Sequence, residues 1–150
     1  MKKSMTPLKH IEKFNKWNWF KEKIEPYITD QICKYEAKEF VLPRYMFDSE
    51  IKSETKSDPI PVEILASFIQ KNCTDKSKWY VMHVQTPSES VAAFVVWDVS
   101  GWYVDASGWA GFGGWFAGDV FLSFATARTP DTLKSDATCI EDRKVSSRNI

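Results

Sequence analysis

The chain has little of what most enzyme and metal sites are built from. It carries two histidines, His10 and His83, and three cysteines, Cys33, Cys73 and Cys139, which are far apart and include no CxxC pair. That usage excludes a disulfide framework and a zinc ribbon, and reads as thiols held reduced in a cytoplasmic protein. The stretch between Asp105 and Asp119 is uncharged for thirteen residues, short of the ~18 that a membrane helix needs. The opening MKKSMTPLKH is basic but has no apolar run behind it, so no secretory signal is expected. Glycine is scarce too, and five of the six glycines fall in SGWAGFGGWFAG, residues 107–118. Their spacing matches neither GxGxxG nor GxxxxGK[ST], and no Lys or Arg occurs from Trp79 to Ala127. A phosphate-cradling loop is therefore excluded, because it needs a cation or a helix N-terminus behind the glycines.

What the chain does have is aromatic area. Its 150 residues include seven Trp, ten Phe and five Tyr, enough to build a real core in a single domain over residues 1–128. The polar run 129–150 reads as a loosely held tail. Formal charge is zero, so no global field favours nucleic acid or an anionic membrane. The charge is uneven all the same, with seven Lys against three Glu in the first 25 residues.

Leu8, Ile11, Phe14, Trp17, Phe20 and Ile24 recur at helical spacing and predict one amphipathic helix, limited by Pro26. A second helix is expected over residues 27–40. VLPRYMF, residues 41–47, looks extended, with Pro43 confining it to an edge strand or loop. Residues 48–61, polar and charged, read as a mobile connection, and PVEILASFIQKN as a short helix. After Lys78 the period changes to two, giving four strands. The expected fold is α+β: N-terminal helices packed on a four-stranded, mostly antiparallel meander.

A Ser100-Gly101 turn would set Val99 opposite Trp102, Asp98 opposite Tyr103 and Val96 opposite Asp105. Asp98 and Asp105 then share a face with Phe94 and Val96. A three-residue turn over residues 87–89 would put Trp79 opposite Trp97, with His83 on their face. Asp98 and Asp105 have no third acid, His or Cys at metal or hydrolase spacing, and His83 reads as a structural histidine. Cys73 follows the C-terminal end of a helix, which disfavours a thiolate. Lys9, Lys16 and Lys23 flank Trp19 on the first helix, a pattern that could stack single-stranded nucleic acid. Zero net charge and a single Arg before residue 128 count against it.

The sequence therefore points to recognition without cofactor or metal. Trp109, Phe112 and Trp115 sit at three-residue spacing in the glycine-rich segment, with Asp105 and Asp119 as a polar rim, and Trp is favoured at contact hot spots. The function expected is a protein-binding module of inhibitor, immunity or adaptor type, with self-association as a variant. One alternative is an aromatic platform for carbohydrate built from Trp102, Tyr103, Asp105, Trp109, Trp115 and Asp119. Another is a small hydrolase or metal-dependent enzyme using His83, Asp98 and Asp105.

Overall fold

From Tyr80 onward the side chains alternate between two apolar faces, and the sheet they build organises the molecule. The computed structural model describes residues 5–109 and 114–126. Four strands come from this second half: β5 (Tyr80–Gln85), β6 (Ser90–Asp98), β7 (Gly101–Gly108) and β9 (Val120–Thr126). Three more join from the first half: β1 (Asn15–Lys16), β2 (Tyr35–Val41) and β4 (Ile60–Pro61). The order across the sheet is β1-β7-β6-β5-β9-β2, with β4 also pairing on β5. Most of the ladder is antiparallel; β1 on β7, β4 on β5 and β9 on β5 run parallel. A separate two-stranded ribbon joins β3 (Met46–Phe47) to β8 (Gly114–Trp115).

Helices cover both faces. On one, Tyr80, Met82, Val95, Val104, Leu122 and Phe124 form the larger core with helices α1 (Pro7–Glu12), α2 (Asn18–Lys23) and α4 (Leu65–Asn72). Helix α4 buries Leu65, Phe68 and Ile69 completely. At roughly 1.5–3 kcal/mol for each such side chain, burial rather than capping holds that helix. On the other face, Val81, Ala92 and Phe121 form a smaller core with Leu42, Met46, Trp115 and Ile51, the last from helix α3 (Asp48–Thr55). Among the described residues no helix is long and apolar enough to cross a membrane.

The architecture is α+β with a large, mainly antiparallel sheet, but the four-stranded meander is corrected to seven strands. The single helix expected from Leu8 to Ile24 is broken in two. Asn15 Nδ2 donates to the Trp102 carbonyl at 3.2 Å, and Trp17 N donates to the Val104 carbonyl, so the chain pairs with β7 between the two helices. Residues 35–40, the second half of the helix expected over 27–40, belong instead to edge strand β2, which Glu36, Lys38 and Glu39 blunt. The run 48–61, read from its polar composition as a mobile connection, begins with α3, whose first turn is closed by Glu50 Oε1 accepting from Phe47 N at 2.9 Å.

Two registers also differ from expectation. The β6–β7 hairpin turns at Val99-Ser100 and pairs Asp98 with Gly101, whose φ of +133° suits only glycine. Asp105 therefore faces Phe94 rather than Val96, a slip of two that keeps every face. The β5–β6 turn spans four residues instead of three, because Thr86 Oγ1 accepts from both Ser88 N and Glu89 N. That slip of one moves His83 to the face of Ala92, Phe94 and Asp105.

Candidate functional site

The second face of the sheet carries two features that set it apart from the larger core, an aromatic ribbon and a polar strip. The first is the β3–β8 ribbon. Neighbouring residues in an extended strand point to opposite sides, and here Trp115 points inward while Phe116 points outward. Trp115 is 6% exposed and its Nε1–H donates to Asp48 Oδ1 at 2.6 Å, Asp48 itself being 1% exposed. Gly114 N donates to the Tyr45 hydroxyl at 2.7 Å. No larger residue fits at 114, since a Cβ there would lie 2.7 Å from the Met46 carbonyl oxygen. Asp119 closes the next turn, accepting from Phe116 N at 3.0 Å while its own N–H bonds the Phe116 carbonyl. Burial raises the Asp119 pKa, and that hydrogen bond works against the rise.

These bonds hold three rings on the outside. Tyr45 is 47% exposed, Phe47 50% and Phe116 68%. The Tyr45 ring centroid lies 5.5 Å from that of Phe47 and 5.5 Å from that of Phe116. Arg44 and Glu50 form an exposed ion pair at 3.7 Å in the same part of the chain.

The second feature is a polar strip beneath. Along β7 and just past it, Tyr103, Asp105, Ser107 and Trp109 alternate onto one face. Trp109, half-buried, stacks flat on His83 with centroids 3.8 Å apart and 11° between planes. His83 is 5% exposed and sits across Ala92 from Ser107. Among the described residues, the buried side-chain polar atoms without a protein hydrogen-bond partner are both ring nitrogens of His83, Asp105 Oδ1 and Ser107 Oγ. All four belong to this face. Burial, and then the positive charge of Lys52, push the His83 pKa down to about 4, so the ring is neutral at pH 7.

The residues expected to form one surface are thus divided. Trp115 is a core ring, Trp109 lies against His83, and Asp119 fixes a turn; Phe112 lies outside the described residues. Trp102 turns to the opposite face from Tyr103, stacking on Phe14, so the six-residue carbohydrate platform is not assembled as drawn. Asp98 accepts from Ser100 at the hairpin tip, four strand positions from Phe94, the partner of Asp105. At ~3.4 Å per residue that separates Asp98 from Asp105 too widely for shared acid–base work. His83 and Ser107 stand two strands apart, ~10 Å between backbones, and neither ring nitrogen is bonded to Ser107 Oγ, so no nucleophile–base pair is formed. Among the described residues no three His, Cys, Asp or Glu side chains are grouped to hold a metal. Cys73 is buried at the end of α4 with its thiol pKa pushed well up by that burial.

Sequence reasoning missed Tyr45, Phe47 and Phe116. The signal was present in the alternation of Trp115 and Phe116, which allows only one of the two rings to face outward. No protein-family model, curated protein or solved structure matches the chain.

Proposed function

We propose that this chain is a protein-binding module, of inhibitor, immunity or adaptor type, whose contact surface is the ring cluster of Tyr45, Phe47 and Phe116 beside the glycine-rich segment. The observation that carries the reading is the anchoring of the segments that bear these exposed rings, by the buried Trp115–Asp48 bond, the part-buried Gly114 N–Tyr45 hydroxyl bond and the Phe116 N–Asp119 bond at the turn. Rings held rigidly lose little conformational entropy on binding, which is why aromatic residues concentrate binding energy at interface centres. Three aromatic side chains about half exposed offer on the order of 300 Å², given the 150–250 Å² each can bury. That is the size of the larger apolar patches on monomeric proteins and the centre of a standard ~800 Å² contact, with Arg44 and Glu50 as its rim. Trp115 and Asp119 support it from below.

Affinity capture from native lysate tests this, comparing wild type with a Phe47→Ser/Phe116→Ser variant. Tyr45 is left intact because its hydroxyl accepts the Gly114 N–H. Specific capture by wild type, lost in the equally stable variant, is the expected result. Unchanged capture removes the ring cluster as the contact surface. Light scattering on the same pair shows whether the partner is a second copy of the chain.

A further inference from the structure

We propose that Asp105, Ser107 and His83 form a binding site for a small polyhydroxylated molecule, a sugar unit, entered beside the Trp109 ring. This site is separate from the ring cluster and does not depend on it. Buried polar groups in folded proteins are almost always hydrogen-bonded, because an unpaired one forfeits its hydration and gains nothing in return. Among the described residues the four exceptions share one face of neighbouring strands, with Ala92 as a low floor between His83 and Ser107. A ligand of matching chemistry supplies the missing partners.

The groups define that chemistry. Asp105 Oδ1 only accepts; Ser107 Oγ donates or accepts; neutral His83 offers one N–H and one bare nitrogen. A hydroxyl does both jobs, so adjacent hydroxyls on one small ring satisfy the whole set. Net charge is selected against from both sides: the Asp105 carboxylate opposes an anion, and Lys52, whose charge already opposes protonation of His83, opposes a cation. The rings of Tyr103 and Trp109 bound the strip on β7, and flat rings suit the C–H faces of a pyranose. Entry requires the Trp109 side chain, half-buried, to turn off His83.

The test titrates the purified full chain with glucose, galactose, mannose and N-acetylglucosamine, reading tryptophan emission, with glycerol as control and Trp109→Phe to assign the signal. The expected result is a saturable, Trp109-dependent change with at least one sugar and none with glycerol. In Asp105→Leu/Ser107→Ala the apparent Kd rises tenfold or more, while Tm holds or increases by a few degrees, since groups kept for a ligand cost the empty fold stability. Ser107→Ala alone gives the same reading with the mildest change to β7. Absence of a saturable response to all four sugars overturns the proposal, as does a response that survives the double substitution. A fall in Tm of more than about 5 °C in Ser107→Ala also overturns it, because the hydroxyl is then part of a structural network.

Discussion

Lowering the pH attacks the fold at His83. The ring has an ordinary pKa of 6.5 when unfolded and about 4 when folded. The unfolded chain therefore binds the proton first as pH falls, and stability is lost from below pH 6.5 until the folded pKa is passed. At 1.36 kcal/mol per pKa unit the loss reaches about 2 kcal/mol by pH 5 and about 3 kcal/mol by pH 4. Physically, protonation puts a cation between the Trp109 ring and the smaller core, within reach of the Lys52 charge. Urea unfolding of wild type and His83→Leu at pH 7, 6, 5 and 4 measures it. The difference between the two curves cancels other groups, including His10, whose pKa is also lowered by burial and Lys13. The gap should shift in favour of the Leu variant by about 2 kcal/mol between pH 7 and pH 5. A gap independent of pH refutes the reasoning, since it means that the folded ring protonates as readily as the unfolded one.

Three further outcomes follow from the ribbon and the turns. Trp115→Phe removes one donor to buried Asp48 and should cost about 1–3 kcal/mol by urea unfolding, the cost of taking one partner out of a buried hydrogen bond; a change under 0.5 kcal/mol contradicts the assignment. Gly114→Ala drives a methyl against the Met46 carbonyl and the Tyr45 ring, so a loss of about 1–3 kcal/mol is expected together with altered Tyr45 NMR shifts. Thr86→Val takes away the acceptor for Ser88 N and Glu89 N, and those two amides should exchange with solvent faster while the rest of β5 and β6 stays protected.

How much of this was legible in the sequence depended on whether a pattern was local. Helix α4 declared itself by apolar spacing, and β5, β6, β7 and β9 by alternation. The break at Asn15 did not, because Leu8, Ile11, Phe14, Phe20 and Ile24 suit two short helices as well as one long one, and the deciding bond is to Trp102, 87 residues away. Helix α3 contributes only Ile51 to the core, so its apolar pattern is nearly silent. Edge strand β2 carries charge on both sides, Glu36 and Lys38 on one and Glu39 on the other, so it shows no clean alternation to set against the helical spacing of Ile28, Ile32 and Tyr35. For the site, the error in placing His83 was one residue of turn length, enough to send the ring to the other face. The β6–β7 slip was two residues and did no such harm. The three-residue spacing of Trp109, Phe112 and Trp115 points to Trp115 as an outward ring, whereas its burial beside Asp48 turns it inward and leaves Phe116 outside.

The central claim, that the rings at the ribbon meet another protein, is tested most directly by placing a photo-reactive benzoylphenylalanine at position 116 and, as control, at Val99, fully exposed at the tip of the β6–β7 hairpin. Irradiation in native lysate should give a discrete cross-linked adduct from position 116 and none from position 99. Adducts that are the same from both positions, or absent from 116, contradict the account.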